Sequence, residues 1–237
     1  MKSLIPDLVM KFFPEIVAPR HCEVCGKHIT GNNQRFEFLC NKCFDAIPYA
    51  PPPEEIYNNK MRNFNPDDFI LSDIFSLFSL KEENRYMNLV YALKYHGFNR
   101  VGYELGAELA KVIRYHKPQK YDFIVPVPIH KVRIRERGYN QSDYIAQGVS
   151  SVLGVPVNNQ LVKRSKYTQT QTLLDSDQRK TNVDSVFIPF RSSVDLQDMR
   201  ILIVDDVYTT GSTINSLAIC LTGIGAKSID AATLAVA

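Results

Sequence analysis

Two carboxylates stand beside a hydroxyl-rich turn toward the carboxyl end of the chain. An apolar run at 201–204 leads into Asp205 and Asp206, and the turn at 209–213 then precedes a helical pattern. The backbone N–H groups of such a turn, with the positive end of the helix dipole behind them, favour a bound phosphate. Gly211 lets the backbone approach that group closely. The turn therefore predicts a cup for phosphate.

The two carboxylates need a different partner, because they repel phosphate. Neighbouring hydroxyls of a sugar could each donate a charge-assisted hydrogen bond to one of them. A ligand with a terminal phosphate and a nearby vicinal diol is ribose 5-phosphate. The alternative is a solvated loop whose hydroxyl side chains merely cap the helix. The pattern is neither a P-loop, which requires a lysine, nor a dinucleotide-binding fingerprint, which requires several glycines.

Strands and helices alternate through the region that must position these residues. Short apolar runs predict strands within 69–80 and at 121–125, 201–204 and 228–237. Apolar residues at helical spacing predict helices that include 86–93, 101–113, 145–153 and 214–221. This order favours a parallel sheet covered by helices on both faces, in which ligands bind beyond the carboxyl ends of the strands.

Four of the five cysteines form two C-x2-C pairs, Cys22 with Cys25 and Cys40 with Cys43. Each pair places two thiolates on one side of a tight bend, and two bends complete a tetrahedral zinc site. The alternative is two disulfides, which a reducing cytosol disfavours. Because such a zinc site has no vacant position, its expected role is structural. Cys220 lies in a helical pattern and is expected to be a small buried residue.

The composition is that of a folded protein with one large or two small domains. The chain has 237 residues, of which 45% are apolar, and its formal net charge is +3. That charge by itself does not predict binding to nucleic acid or membranes. No apolar run is long enough to cross a bilayer, and charges and prolines interrupt the segment 1–19, so we expect a cytoplasmic protein.

A proline-rich and then polar stretch at 47–60 predicts a linker or an irregular connection. We therefore expect a four-cysteine zinc-binding segment with its linker at 1–55 and an α/β domain at 56–237.

The motifs, in their order along the chain, resemble those of the ComF family, phosphoribosyltransferase-like proteins linked to bacterial competence. After the cysteine segment come LKYHG at 93–97, VPVPIHKVRIRERGYNQ at 125–141, RSKYTQTQTLLDSDQRKTNV at 164–183 and IVDDVYTTGST at 203–213. The last motif is similar to the phosphoribosyl-pyrophosphate (PRPP) signature of type I phosphoribosyltransferases. The resemblance implies an α/β fold of that type, with a mainly parallel sheet, helices on both faces, a hood and a small N-terminal zinc-binding segment.

The resemblance also implies which residues bind PRPP. The ribose and the 5-phosphate would be bound by Asp205, Asp206, Val207, Tyr208, Thr209, Thr210, Gly211, Ser212 and Thr213. Candidates for the pyrophosphate and the hood are Lys94, Pro128, His130, Lys131, Arg133, Arg137, Arg164 and Arg179.

Arginine suits a diphosphate because its guanidinium offers forked donors. The basic residues at 130–137 could instead form a solvated helix start or a nucleic-acid patch. Arg137, Asn140 and Gln141 could brace the loop, and Lys94 could simply favour the C-terminus of its helix.

The polar segment 164–180 predicts a mobile lid that excludes water from the transition state, although a loop without a role would have the same composition. Mg²⁺ is expected with PRPP and would be held mostly by diphosphate and ribose oxygens.

Two hypotheses of function follow. The first is a phosphoribosyltransferase that transfers phosphoribose from PRPP to an unidentified nitrogenous acceptor base, or catalyses the reverse reaction. Purine-salvage relatives of the hypoxanthine-guanine type carry an aspartate where Thr209 stands, so the acceptor and the general base stay unassigned. The second is a non-catalytic PRPP sensor or a component of natural transformation that binds single-stranded DNA, with competence-machinery proteins as partners. The oligomeric state is unknown in both.

Overall fold

The computed structural model describes residues 20–29, 35–80, 85–118, 120–165, 186–190 and 195–237. Along these residues the elements are α1 (Asn41–Asp45), α2 (Pro53–Met61), a 3-10 turn (Pro66–Asp68), β1 (Ile74–Ser79), α3 (Met87–Tyr95), α4 (Asn99–His116), β2 (Phe123–Pro126), α5 (Lys131–Arg137), α6 (Gln141–Leu153), β3 (Val162–Arg164), β4 (Phe187–Pro189), β5 (Arg200–Tyr208), α7 (Ser212–Thr222) and β6 (Ser228–Val236).

Four strands form a parallel sheet in the order β1-β6-β5-β2. The two central strands pair from Arg200 opposite Ser228 to Tyr208 opposite Val236. Buried on both faces, they need apolar side chains at almost every position, which explains the continuous apolar runs in the sequence. Because all four strands are parallel, their carboxyl ends meet at one edge.

The helices cover both faces of this sheet, as predicted. Leu202 and Val204 of β5 pack in one core with Leu105 of α4 and Ile145 of α6. The alternate residues of β5, such as Ile203, lie in a second core with side chains of α7. Successive side chains of a strand point to opposite faces, so β5 contributes to both cores.

Helices α4 and α6 pack with their backbones in contact. A Cβ atom at Gly148 would overlap with the carbonyl oxygen of Tyr103, and one at Gly106 would overlap with that of Ile145. Glycine at these positions therefore fixes how close α6 lies to α4. The first turn of α6 is positioned by this contact, and it forms part of the site described below.

The cysteine segment shares the core of the α/β region. Cys22, Phe36 and Phe44 belong to the same buried cluster as Leu105 of α4. Phe38 stacks on Phe98, which caps the start of α4, with ring centroids 4.5 Å apart. The segment is therefore packed against α4. The boundary predicted between residues 55 and 56 stays a prediction.

The expectation of an irregular connection at 47–60 is wrong for its second half, which forms α2. Pro53 stands in the first turn, where its missing N–H costs nothing, and Glu54 and Glu55 favour the positive end of the helix dipole. Ile56 is buried and holds the helix on the second core. Because the stretch is mostly polar, its sequence does not show that Ile56 anchors a helix.

Strand β5 extends further than the apolar run predicted. It continues through Asp205 and Asp206 to Tyr208, so the two carboxylates lie within the paired part of the strand rather than after it. Strands β3 and β4 form a separate antiparallel pair, which corresponds to the predicted hood. The lid prediction falls mainly on residues outside the described ranges. None of the helices in the described ranges has the length and hydropathy that a membrane span requires.

Candidate functional site

A cavity of about 220 Å³ lies at the carboxyl edge of the sheet. Its lining comprises Lys94, Val127, Ile129, His130, Arg133, Arg137, Gln141, Arg164, Asp205, Asp206 and Thr213. Most of these residues were predicted from the sequence to bind PRPP. The fold thus brings together residues of α3, α5, α6, β3 and β5 that are far apart along the chain.

Asp206 is buried and has two polar partners from different helices. Its Oδ2 atom lies 3.1 Å from Nζ of Lys94 and accepts a hydrogen bond of 3.0 Å from Nε2 of Gln141. Only 5% of Asp206 is exposed, so its charge needs these partners to be stable in the folded protein. Lys94 stands near the C-terminus of α3, whose end is held by a hydrogen bond from Tyr139 to the carbonyl oxygen of Leu93.

Asp205 is less well compensated. Its Oδ1 atom accepts hydrogen bonds of 2.9 Å from Oγ of Ser142 and 2.9 Å from the backbone N–H of Asp206. Burial and the neighbouring charge of Asp206 raise the pKa of Asp205 to about 7, against the lowering effect of these donors and of Lys94. A carboxylate in this state gains from any ligand that brings a cation or further donors.

The start of α6 braces both carboxylates and the loop opposite them. Gln141 and Ser142 contact the aspartates, and the N-cap residue Asn140 donates a 3.1 Å hydrogen bond from Nδ2 to the carbonyl oxygen of Val127. Arg137 donates to Oε1 of Gln141 at 3.1 Å. The bracing role that the sequence left open is therefore observed for Asn140, while Arg137 and Gln141 both brace and line the cavity.

The turn after β5 is open to solvent. Thr209, Thr210 and Ser212 are exposed, and Gly211 has a φ of +81°. A Cβ atom at Gly211 would overlap with the phenol of Tyr208, which is fully buried beneath the turn. Only glycine satisfies both the backbone angle and this close approach. The turn ends at the N-terminus of α7, as predicted.

Lys60 is a contact of this turn that the sequence did not reveal. Its Nζ atom donates a 3.0 Å hydrogen bond to the carbonyl oxygen of Thr209 and another to that of Ala237. It also lies 5.8 Å from the ring centroid of Tyr208. Helix α2 is thereby tied to the turn, although the sequence around Lys60 contains no recognisable motif for such a role.

The predicted ligand contacts either line the cavity, lie elsewhere in the structure, or fall outside the described residues. His130, Arg133, Arg137 and Arg164 line the cavity, whereas Pro128 and Lys131 are not among its lining residues. Within the run 205–213, the lining residues are Asp205, Asp206 and Thr213. Arg179 lies outside the described residues.

The four paired cysteines form a cluster that could hold a metal such as zinc. The sulfur atoms of Cys22, Cys25, Cys40 and Cys43 lie within 4.8 Å of one another, and those of Cys25 and Cys40 are 3.9 Å apart. Four thiols at this spacing fit a tetrahedral ion. Burial opposes ionisation of Cys22, but backbone N–H donors of the cluster outweigh it and lower its pKa to about 7.

The model of the phosphoribosyl transferase domain family matches residues 140–236. This range includes α6, both hood strands, β5 with its turn, α7 and β6. It therefore contains Asp205, Asp206 and the predicted phosphate cup, but not Lys94 or the basic residues of α5.

Several curated bacterial proteins are similar to this chain. Competence protein F of Haemophilus influenzae is 38% identical over 117 residues, which cover 49% of this chain and 51% of that protein. The DNA utilization protein YhgH of Escherichia coli K12 is 38% identical over 109 residues, covering 46% and 47%. Competence protein ComFC of Bacillus subtilis is 34% identical over 121 residues, covering 49% and 45%. The chain thus spans about half the length of these relatives.

Among solved structures, the adenine phosphoribosyltransferase of Thermoanaerobacter pseudethanolicus is 20% identical and covers 60% of this chain and 83% of its own, with a TM-score of 0.37. The family match and the curated relatives confirm the resemblance that the motifs indicated. Residues 140–236 match the phosphoribosyl transferase domain family, and about half of the chain is similar in sequence to competence protein F, ComFC and YhgH.

Proposed function

We propose that this protein binds PRPP with Mg²⁺ and transfers its phosphoribosyl group to a nitrogenous acceptor. The observation that carries the proposal is the pair Asp205 and Asp206 at the edge of a cavity lined by Lys94, Arg133, Arg137 and Arg164, next to an open turn at a helix N-terminus. Two acids beside several cations suit a ligand that has both a diol and phosphates.

In this proposal the protein holds the ligand at its 5-phosphate and at its two ribose hydroxyls. The backbone N–H groups of the turn at 209–213 bind the 5-phosphate, supported by the helix dipole of α7. The hydroxyls of Thr210 and Ser212, 3.1 Å apart, add donors on the solvent side. Asp205 and Asp206 accept hydrogen bonds from the two ribose hydroxyls.

Binding requires that Lys94 exchange its partner. Lys94 and Gln141 now satisfy Asp206, so a sugar hydroxyl must share or replace one of these contacts. The diphosphate offers Lys94 a new anion close to the old one. The ion pair therefore keeps Asp206 stable in the free protein and delivers a cation to the diphosphate when PRPP arrives.

The diphosphate is assigned to α5 and the loop before it. Arg133 and Arg137 line this side of the cavity, and His130 lines it while its Nδ1 atom accepts a 3.3 Å hydrogen bond from the N–H of Val132. Mg²⁺ would be held mostly by ribose and diphosphate oxygens, next to Asp205 and Asp206, and would neutralise charge on the leaving diphosphate.

The reaction is a substitution at C1 of the ribose. The bond from C1 to the diphosphate oxygen breaks, and the diphosphate leaves with the electron pair. The lone pair of the acceptor nitrogen forms the new bond to C1, and a proton on that nitrogen, where one is present, passes to solvent. The predicted lid at 164–180 would exclude water from the electron-poor C1.

The cysteine cluster is proposed to hold a structural Zn²⁺ that positions α3. Tyr86, next to the start of α3, donates a 2.7 Å hydrogen bond to the carbonyl oxygen of Cys43. All five cysteines are free thiols, which favours a reducing compartment, the cytoplasm, in this proposal. One zinc per chain is expected by elemental analysis. The double change Cys25→Ser with Cys40→Ser should remove it, and Cys220→Ser should retain it.

The central experiment compares ligands by calorimetry. PRPP with Mg²⁺ is expected to bind the full chain, and the double variant Asp205→Asn with Asp206→Asn is expected to lose that binding while keeping its zinc. The exposed pair Asp67→Asn with Asp198→Asn is the charge-matched control and should bind as the wild type does. Undiminished affinity in the D205N/D206N variant would refute the diol assignment.

A second candidate function is binding of single-stranded DNA in natural transformation. It is favoured by the exposed Tyr91 and Tyr95 of α3, which stack at 6.2 Å, and by Arg137, whose guanidinium lies 5.2 Å from the ring of Tyr95. Aromatic rings beside arginines suit unstacked bases. If DNA alone binds, with a steep salt dependence, this second candidate replaces the enzyme. The names of its relatives refer to competence and to DNA utilization, which this second candidate function would serve.

A further inference from the structure

Lys60 of α2 contacts the turn at 209–213 although it is not among the residues that line the cavity. Its Nζ atom donates hydrogen bonds to the carbonyl oxygen of Thr209, at 3.0 Å, and to that of Ala237. The residue is partly buried, and this burial lowers the pKa of its ammonium group. A partly buried cation with two carbonyl partners forms a fixed contact, unlike a lysine that only water surrounds.

The packing of α2 and of the chain after it sets the position of Lys60. Ile56, four residues earlier, lies on the same face of the helix and is 3% exposed in the second core. The chain that follows α2 is attached to α7. The buried side chain of Asn215 donates a 2.6 Å hydrogen bond to the carbonyl oxygen of Asp68 and accepts one of 3.0 Å from the N–H of Ile70. Lys60 is therefore held in place from both sides.

The contact with Thr209 orients the peptide group that joins Thr209 to Thr210. This peptide is trans, and the C=O and N–H bonds of a trans peptide point in opposite directions. Because Lys60 binds the carbonyl oxygen, the N–H of Thr210 points to the other side of the turn. A rotated peptide would present its carbonyl oxygen there instead, and that oxygen would repel a phosphate.

The turn is held at a second point directly after Thr210. Gly211 lies against the buried phenol of Tyr208, so closely that a Cβ atom at Gly211 would overlap with the ring. Lys60 lies 5.8 Å from the centroid of the same ring. Thr210 thus stands between two neighbours whose positions are fixed.

The N–H groups at this point of the turn are available to a ligand. Among the residues that the structure describes, none accepts a hydrogen bond from the backbone N–H of Thr210 or of Gly211. Gly211 is buried, and buried N–H groups in folded proteins nearly always have an acceptor. Two such donors beside the N-terminus of α7 favour a bound anion.

We propose that Lys60 is a positioning residue for the 5-phosphate of PRPP, because it fixes the peptide between Thr209 and Thr210 so that the N–H of Thr210 faces the phosphate. Its charge also polarises this peptide, since a cation bound to the carbonyl oxygen makes the N–H of the same group a stronger donor. Lys60 itself does not touch the ligand. The inference deepens the proposed function and rests on it, because the 5-phosphate is the anion assigned to the turn.

The test separates the two phosphorylated ends of PRPP. Calorimetry measures the binding of PRPP with Mg²⁺, of ribose 5-phosphate, and of inorganic diphosphate with Mg²⁺ to the full chain. Lys60→Met is expected to weaken the binding of PRPP and of ribose 5-phosphate about tenfold each, the effect of one hydrogen bond to a charged group. Inorganic diphosphate, which is assigned to α5, should bind the variant as it binds the wild type.

Two further variants separate the position of the charge from its presence. Lys60→Arg keeps a cation that can donate to the same carbonyl oxygens, and it should retain most of the affinity. Arg62→Met removes an exposed cation at the end of the same helix and should bind every ligand as the wild type does. Lys60→Met should melt at nearly the wild-type temperature, since Thr209 and Ala237 are exposed and water can bind their carbonyl oxygens.

Heteronuclear NMR reports on the peptide itself. The amide proton of Thr210 is expected to move downfield when ribose 5-phosphate saturates the wild type, because its N–H then donates to the phosphate. In the saturated Lys60→Met variant this change in chemical shift should be clearly smaller. A lysine that only stabilised the fold would leave the change as it is in the wild type.

The outcomes distinguish this inference from the proposed function. If PRPP does not bind the wild type, the proposed function fails and the role of Lys60 falls with it. If PRPP binds, and K60M binds it as tightly as the wild type or shows the full change at Thr210, only the role of Lys60 is overturned. Equal weakening of ribose 5-phosphate and diphosphate in K60M would indicate a general effect of charge, which overturns it as well.

Discussion

Each edge of the sheet has two aspartates beside one lysine, but the contacts between them differ. At the carboxyl edge Asp205 and Asp206 lie beside Lys94, and at the amino edge Asp73 and Asp230 lie beside Lys117. In each case one aspartate is almost completely buried, Asp206 at 5% and Asp230 at 2% exposure. The two clusters differ in how the lysine contacts the acids.

At the amino edge one cation bridges both acids. Nζ of Lys117 bridges both acids, at 2.6 Å from Asp73 and 2.8 Å from Asp230. The buried hydroxyl of Tyr121 donates a further 2.6 Å hydrogen bond to Asp230. Burial lowers the pKa of Lys117, but its bonds to both acids outweigh this effect and raise it. This cluster ties the end of α4 to the starts of β1 and β6.

At the carboxyl edge the two acids have separate partners. Lys94 forms its ion pair with Asp206, and burial raises the pKa of Asp205, as it also raises the pKa of Asp230 at the other edge. Three arginines line the same cavity. The two edges show that residue types alone do not separate a structural cluster from a ligand site; what separates them is whether the fold lets one cation bridge both acids.

The largest effect on stability is expected at the amino edge. Lys117→Met leaves the buried Asp230 without its cation and should lower the free energy of unfolding by about 3 kcal/mol, since a buried charge is then uncompensated. Lys94→Met should cost about 1 kcal/mol, because Asp206 keeps Gln141 and borders an open cavity. Denaturant unfolding measures both values, and a reversed order would contradict the comparison.

The same two variants should separate in ligand binding. Lys94→Met is expected to weaken PRPP binding by about tenfold or more, since it removes a charged contact to the diphosphate. Lys117→Met should bind PRPP as the wild type does at temperatures where it is folded, because Lys117 lies at the opposite edge. Calorimetry at low temperature measures the two dissociation constants, and equal losses would show that the edges are coupled.

Asp205→Asn should stabilise the protein at pH 8. The folded state holds a proton on Asp205 up to about pH 7, whereas the unfolded chain releases it near the ordinary value of 3.8, so the wild type loses stability as pH rises between these values. The variant lacks this loss and should melt about 3 °C higher, the change that roughly 1 kcal/mol produces in a chain of this size. At pH 4 the difference in melting temperature should disappear, and an unchanged difference would argue against a raised pKa of Asp205.

The smallest effect is expected in the pH dependence of binding. Protonated Asp205 offers one acceptor fewer to the ribose diol, so PRPP affinity should fall as pH decreases through about 7. Phosphate groups also titrate near pH 6, with a pKa of about 6, and contribute to the same trend. The residual binding of Asp205→Asn should show only the phosphate contribution, and a profile identical to that of the wild type would remove Asp205 from the explanation.

Local patterns in the sequence were sufficient for the core of the candidate site. The apolar run at 201–204, the acid pair and the glycine-containing turn predict a strand, a turn and a helix without reference to the rest of the chain, and β5 and α7 confirm them. The two C-x2-C pairs likewise predict the cysteine cluster, because ligand spacing within a bend is a local property.

Only the tertiary structure decided which cations accompany which acids. Lys94 forms an ion pair with Asp206, and Lys60 donates a hydrogen bond to the turn after β5. Arg164 lines the cavity because β3 pairs with β4. Each contact joins residues far apart in the sequence and depends on the strand order β1-β6-β5-β2 and on the packing of α6 against α4. The sequence by itself therefore determined the local groups of the candidate site: the acid pair, the glycine-containing turn and the cysteine pairs. The packing determined their neighbours and charge balance, because these depend on distances that no local pattern encodes.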